Sequence, residues 1–265
     1  MDLILLFKAF IQGLVEGATE FLPISSTGHL IIVGDLLNFN DDKAKVFDIV
    51  IQLAAILAVC WEYRRKLMNT VMHITHQTKA QNFSLNLIIA FLPAALLGLV
   101  FHDKIKEYLF TPITVAIALI LGGLAILLIE KMPLKVKTVS IDDISRKQAW
   151  QIGFAQAAAL IPGVSRSGAT ILGGMLFGLN RHTATEFSFF LAIPIMFAAT
   201  GYDLLKNWQL LSIDDLAMFA VGFITAFVSA LVAIKFLLRF VASHSFRIFA
   251  WYRIGLGLLV IWYFQ

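Results

Sequence analysis

The sequence predicts an all-α polytopic membrane protein built from two inverted-topology repeats, each a re-entrant helix–loop–helix hairpin followed by three transmembrane helices. Three observations carry that expectation. The 265-residue chain is 59% hydrophobic and only 14% charged, against about 25% charged in an ordinary soluble domain, and its mean hydropathy is +0.83. The apolar residues come in unbroken runs rather than alternating with polar ones, which argues against a β-barrel. Two of those runs are interrupted by polar, Pro- and Gly-containing stretches at matching places in the two halves. A soluble enzyme is excluded because too little charged surface is available to cover it. A disulfide scaffold is excluded by the single cysteine, Cys60. The net charge of +4 reads as basic cytoplasmic loops and not as nucleic-acid binding.

Taken in order, residues 3–37 form the first hairpin, broken at Pro23–His29. Spans follow at roughly 47–61, 85–101 and 113–129. Residues 149–179 form the second hairpin, broken at Pro162–Gly168, followed by spans at roughly 187–202, 216–238 and 248–264. A lipid-spanning helix needs about 20 apolar residues, and each piece of the broken runs is too short for that. Irregular backbone at membrane depth is tolerated only where protein or a watery cavity surrounds it, hence the hairpin reading. The N-terminal segment, with Lys8 inside the apolar stretch, reads as mature protein and not as a cleavable signal.

The halves, 1–131 and 148–265, belong to one integral-membrane domain. A shift of 140 residues lays Glu16 on Gln156, Ser26 on Arg166, Gly28 on Gly168 and Phe47 on Phe187. Three spans per half is an odd number, so the second half is expected upside down relative to the first. Charge placement fits. With the first span running from outside to inside, twelve Lys and Arg residues fall in inner segments and five in outer ones (Lys43, Lys45, Lys104, Lys106, Lys206). The first hairpin then comes in from the outer face, the second from the cytoplasmic face, and their polar tips meet near the midplane. The polar connections 62–84 and 130–147 are too short to be domains.

Three constellations could carry chemistry. Glu16 and Glu20, at i and i+4, share a helical face with Gln12 one turn earlier. Two carboxylates so close stay ionised only beside a cation, either a divalent metal or an arginine. Ser25-Ser26-Thr27-Gly28-His29 offers hydroxyls and an imidazole, although the same residues also make an ordinary N-cap after a Pro turn. In Pro162-Gly163-Val164-Ser165-Arg166-Ser167-Gly168-Ala169-Thr170, glycines and a following helix N-terminus can converge N–H groups on an anion, and Arg166 adds a fork of donors matched to phosphate. A structural Arg166–Glu20 pair closing the two hairpins is the simpler alternative. Asp48, Gln52 and Glu186 either line the cavity or cap spans. Lys235 and Arg253 read as snorkelling near span ends, Trp61, Trp208, Trp251 and Trp262 as an aromatic belt, and His73, His76 and His102 show no ligand spacing.

The stretches Glu16-Gly-Ala-Thr-Glu20-Phe-Leu-Pro-Ile-Ser-Ser26-Thr-Gly-His29 and Pro162-Gly-Val-Ser165-Arg166-Ser167-Gly-Ala-Thr170 closely resemble the two signature motifs of the BacA-type undecaprenyl-diphosphatases, and the resemblance extends over essentially the whole chain. It implies an enzyme of the bacterial plasma membrane whose site opens to the outer, periplasmic face. Such an enzyme hydrolyses undecaprenyl diphosphate to undecaprenyl phosphate and inorganic phosphate, which recycles the lipid carrier of cell-wall polymers and confers bacitracin resistance. It further implies a divalent cation, Mg2+ or Ca2+, at Glu16 and Glu20. Gly163, Ser165, Arg166, Ser167, Thr170 and Thr27 would receive the diphosphate. Ser26 would act as nucleophile with His29 assisting, the reverse assignment and a metal-activated water staying open. The partners expected are the prenyl diphosphate and membrane lipid, with no nucleic acid; the sequence leaves the oligomeric state open, a homodimer included. The competing class is a secondary transporter or flippase for a prenyl phosphate or another anion, because inverted repeats with broken helices are also transporter anatomy.

Overall fold

The computed structural model describes residues 3–207, 209 and 213–264, all-helical among the named elements. Eleven α-helices follow one another: α1 (Leu3–Thr19), α2 (Ser26–Leu36), α3 (Asp42–Glu62), α4 (Arg64–His73), α5 (Thr78–Leu109), α6 (Pro112–Lys131), α7 (Arg146–Ala157), α8 (Arg166–Leu176), α9 (Arg181–Asn207), α10 (Leu216–Val241) and α11 (Arg247–Phe264). Six of them, α3, α5, α6, α9, α10 and α11, are long and apolar enough to cross a membrane, so the chain is a multi-pass membrane protein. Around the two breaks α1 has 17 residues and α7 has 12. α2 and α8 have 11 residues each, about 17 Å of helix and roughly half a bilayer core.

Caps explain where the spans begin. The Asp41 carboxylate accepts from Ala44 N at 2.8 Å to start α3. Thr111 caps α6 with Pro112 at its first position. Ser145 and Gln148 form a reciprocal capping box on α7, and Asn180 Oδ1 accepts from Thr183 N to start α9. The spans run longer than their apolar centres. α5 reaches back to Thr78 and α9 to Arg181, and the connection after the first span contains α4, whose polar composition carries no membrane signal. Trp61, Trp251 and Trp262 are exposed near helix ends, as a belt requires; Trp208, and the side chains of His102 and Lys106, lie outside the described residues.

The two broken regions fold alike. Ser25 and Ser165, which precede α2 and α8, both hold a positive φ, 69° and 74°. Both helices end in the same reversal: Leu37 N donates to Val33 O and Phe177 N to Gly173 O, each at 3.0 Å. Phe39 N then donates to Gly34 O at 2.8 Å and Leu179 N to Gly174 O at 2.9 Å. Every one of these pairs is related by the 140-residue shift. At a larger scale α1 packs on α10 and α7 on α5, while α3 packs on α9 and α6 on α11.

Close helix contacts rest on small residues, as they do where lipid removes the hydrophobic drive to associate. A Cβ at Gly17 of α1 would collide with Ala226 O and Ser229 Oγ of α10, and one at Gly153 of α7 with Ala90 O of α5. Gly255, by contrast, faces open space. Gly17→Leu should therefore cost about 1–3 kcal/mol through overpacking and lower the melting temperature in detergent, whereas Gly255→Leu should leave it unchanged; a thermal-unfolding assay on the two variants checks the contrast.

Candidate active site

The tips of the two hairpins are in contact, and the contact is ionic. Arg166, first residue of α8, places its Nη2 3.0 Å from Glu20 Oε1. The other carboxylate oxygen, Oε2, accepts the hydroxyl of Ser26, first residue of α2, at 2.5 Å. Glu20 thus joins the arginine of one hairpin to the serine of the other turn, and all three side chains are largely shielded. Arg166 also donates through Nη1 to Ser188 O at 3.3 Å, and its guanidinium lies 5.5 Å from the centre of the Phe21 ring. Its Nε has no partner.

Positive φ at Ser25 and Ser165 turns each chain sharply from the tip into its helix, a conformation disfavoured for L-residues and kept only where surroundings fix it. Those surroundings are visible. Ser167 Oγ donates to Leu22 O across the tips at 2.7 Å, and Ser165 Oγ, 3.1 Å from Ser167 Oγ, accepts from Gly168 N at 3.1 Å. Thr170 Oγ1 lies 2.9 Å from Arg166 O and 2.6 Å from Ser188 Oγ. Three of the four hydroxyls expected on a phosphate thus already have protein partners; the fourth, on Thr27, is half-buried.

His29 is near Ser26 in sequence but does not hydrogen-bond to it. Its Nδ1 lies 2.7 Å from Ser25 O, and its Nε2 lies 2.6 Å from the Tyr252 hydroxyl of α11, with the two rings stacked. A carbonyl can only accept, so Nδ1 carries the proton and, in the neutral ring, Nε2 accepts from Tyr252. Both nitrogens are committed away from the serine, and Glu20, not His29, holds the Ser26 hydroxyl.

The largest revision concerns Arg253. Instead of snorkelling to an aqueous surface, it is 1% exposed. Its guanidinium donates to four carbonyls: Leu119 O at 3.3 Å, Ala118 O at 3.2 Å, Pro23 O at 3.2 Å and Gly163 O at 3.0 Å. Pro23 belongs to the first tip and Gly163 to the second, so α11 ties the tips together from behind. Gly122 leaves the room, since a Cβ there would strike the guanidinium. The sequence did contain the signal: a charged residue two turns inside an apolar span has to be paired or functional. Lys235 instead reaches Glu62 at 3.7 Å. Of the other span carboxylates, Glu186 lies 3.4 Å from His182 and accepts from Tyr63 at 3.5 Å.

One helical turn before Glu20, α1 carries a carboxylate that is buried and unsatisfied. Glu16 is 1% exposed, yet neither of its oxygens has a partner. The same holds for Gln12 Oε1, Asp48 Oδ1 and both polar atoms of the Gln156 amide. Asp48 and Arg166 are both within electrostatic range of Glu16. Buried polar atoms are nearly always hydrogen-bonded, so the orphaned oxygens of Glu16, with Asp48 and Arg166 in electrostatic range, mark a place for water, an ion or a ligand. Among the described residues no three His, Cys, Asp or Glu side chains lie close enough to share a metal. A cation here would rest on the free oxygens of Glu16, because those of Glu20 are taken by Arg166 and Ser26.

Removing the guanidinium at position 253 would strand buried carbonyls at both tips. Arg253→Met is expected to cost several kcal/mol, because a buried acceptor left unpaired costs about 1–3 kcal/mol, and to lower the melting temperature in detergent. Tyr252→Phe, which removes one hydroxyl at a half-exposed position, should lower it far less; thermal unfolding of both variants reads the difference.

A family model for the bacitracin resistance protein BacA matches residues 9–259. The chain is 64% identical over its full length to the full length of an undecaprenyl-diphosphatase of Methylobacillus flagellatus. It is 62% identical to that of Nitrosospira multiformis, covering 98% of this chain and 96% of the relative, and 60% identical to that of Nitrosomonas europaea, covering 98% and 95%. With nearly the whole chain matched and both hairpin tips assembled into one buried polar site, the chain belongs to the BacA family of bacitracin resistance proteins.

Proposed function

We propose that this chain hydrolyses undecaprenyl diphosphate to undecaprenyl phosphate and inorganic phosphate at the junction of its two hairpin tips, and that by recycling the carrier lipid it confers bacitracin resistance. The relatives named above carry that activity in their names. The observation that carries the reading is the Ser26–Glu20–Arg166 chain: a hydroxyl 2.5 Å from a carboxylate whose second oxygen is neutralised by an arginine. An anhydride hydrolase needs little more than a positioned nucleophile and cations for the phosphoryl oxygens.

Ser26 Oγ attacks the terminal phosphorus and passes its proton to Glu20 Oε2. The new O–P bond forms as the bridging P–O bond breaks, and undecaprenyl phosphate departs. Water then hydrolyses the phosphoserine, with the same carboxylate handling protons, and releases inorganic phosphate. Arg166, with its free Nε, meets the phosphoryl oxygens. His29 holds the Ser25 carbonyl, and through it the turn that presents Ser26; it is a positioning residue here and not the base. Glu16 is the residue that would hold a divalent cation, Mg2+ or Ca2+, which when bound neutralises diphosphate charge.

The architecture we propose is an inverted repeat in a bacterial plasma membrane, with the site reached from the periplasmic face. The 140-residue correspondence of the tips and the exchanged packing of α1 on α10 and α7 on α5 support the repeat. The excess of basic residues in the segments assigned inside supports the orientation.

Ser26→Ala and Glu20→Gln should each lower kcat for phosphate release from a prenyl diphosphate by about 10²–10⁴-fold, with a folded protein in detergent. His29→Asn should cost less. Acid-quenched turnover followed by peptide mass spectrometry should show phosphate on Ser26, and full activity in Ser26→Ala would remove the covalent route. Glu16→Gln should shift the divalent-ion activation midpoint upward by about tenfold or more, tenfold in affinity corresponding to about 1.4 kcal/mol; an unmoved titration would take Glu16 out of the cation site.

A further inference from the structure

We propose that the recess beside the Lys131 end of α6 is a headgroup site for an anionic phospholipid. It is separate from the hairpin tips and does not depend on the phosphatase reading.

The recess is built, not incidental. After α6 the chain does not proceed directly to α7 but runs extended along the turn that follows α8. Lys137 N and Thr138 N both donate to Gly178 O, at 2.7 and 3.0 Å, and Asn180 N donates back to Thr138 O at 3.1 Å, a short parallel bridge between Thr138 and Leu179. The Gln148 amide nitrogen locks the arrangement, donating to Phe177 O at 3.0 Å and Thr138 Oγ1 at 3.0 Å. Gly178, with φ 98°, makes the reversal that brings this carbonyl round.

The result is a cavity of about 590 Å3 whose lining includes Lys135, Lys137 and Lys147, with Asp143 as its one carboxylate. All three lysines are exposed, and among the described residues none of them is in an ion pair. Three cations against one acid leave a surplus that a phosphodiester would neutralise.

Position supplies the second half of the argument. Lys135 and Lys137 follow the Lys131 end of span α6 by four and six residues, and Gly178 precedes the Arg181 start of span α9 by three, which sets the recess close to the ends of two spans, where a membrane would meet water. The same extended segment carries exposed apolar residues: Val136, 56% exposed, which lines the adjoining recess by Glu130 and Arg181, and Val139, 67% exposed. Trp150 and Phe154 of α7, also exposed, stack edge to face with centroids 5.0 Å apart. Lysines interleaved with exposed apolar residues at a span end fit a headgroup with acyl chains attached, the stems lying along lipid and the ammonium groups reaching phosphate. Free inorganic phosphate would share the charge chemistry but would make no use of Val136, Val139 or the aromatic pair.

Native mass spectrometry of the whole protein in detergent tests this, with phosphatidylglycerol and phosphatidylcholine titrated as probes. The wild type should retain phosphatidylglycerol in preference to phosphatidylcholine. The triple variant Lys135→Gln, Lys137→Gln, Lys147→Gln should lose that preference by about tenfold or more, each lysine near an anionic headgroup being worth about fivefold. Phosphate release from a prenyl diphosphate should be unchanged in it, which reports correct folding. A control with equal charge removed elsewhere, Arg64→Gln, Arg65→Gln, Lys79→Gln, should keep the preference. An equal loss in the control would make the effect general charge attraction and overturn the site. Displacement of phosphatidylglycerol by equimolar inorganic phosphate would overturn the lipid assignment in favour of a free anion.

Discussion

The structure depends on one ion pair, Glu20 with Arg166, at the meeting of two hairpins whose pairing residues are only 8% and 13% exposed. Taking two charges out of water costs several kcal/mol per ion, and the attraction repays that only with good geometry and further hydrogen bonds. Those extra bonds are what the neighbourhood provides: Ser26 on the second carboxylate oxygen, Ser188 O on the guanidinium and Ser167 bridging to Leu22 O. Left to themselves the tips would be two short helices with strained turns and unpaired polar backbone. Joined, they satisfy one another, and the long apolar helices around them hold the joint in place.

Arg253 does a different job with the same side chain. Among the described residues it meets no carboxylate, and it is held by four carbonyl oxygens from α6 and both tips. Carbonyl dipoles pointed at one cation replace its hydration shell and at the same time satisfy acceptors that an irregular loop in an apolar setting would leave bare. The two arginines thus divide the labour. Arg166 keeps a free Nε within electrostatic range of the unpartnered Glu16 oxygens; Arg253 gives four hydrogen bonds to backbone carbonyls and serves the frame.

The fold class and six spans were legible because apolar runs of lipid-crossing length admit few alternatives, and both breaks were legible because Pro, Gly and hydroxyl residues interrupt them. The Glu20–Arg166 pairing was legible for the same reason: charges among apolar helices demand partners. Helix ends were less legible. Polar extensions such as Thr78–Ser84 of α5 and all of α4 obey no membrane rule and are fixed by tertiary contacts. The placement of His29 was the hardest to read. Adjacency to Ser26 suggested a base, but one turn of helix points its Nδ1 back at the Ser25 carbonyl, and the partner of Nε2, Tyr252, lies 223 residues away. Arg253 was misread because distance along the chain from a span end says little about depth when the neighbouring helices form a polar pocket.

The separations in these contacts bear on biosynthesis. Glu20 waits 146 residues for Arg166, and Pro23 O waits 230 for Arg253. A ribosome delivers α11 last, so the first hairpin leaves the translocon with its acids and its bent turn lacking their eventual partners. The cationic counterpart arrives with α8, and the rear clasp follows only when the final helix docks against α6. Until then the two tips are joined at the front but not held from behind.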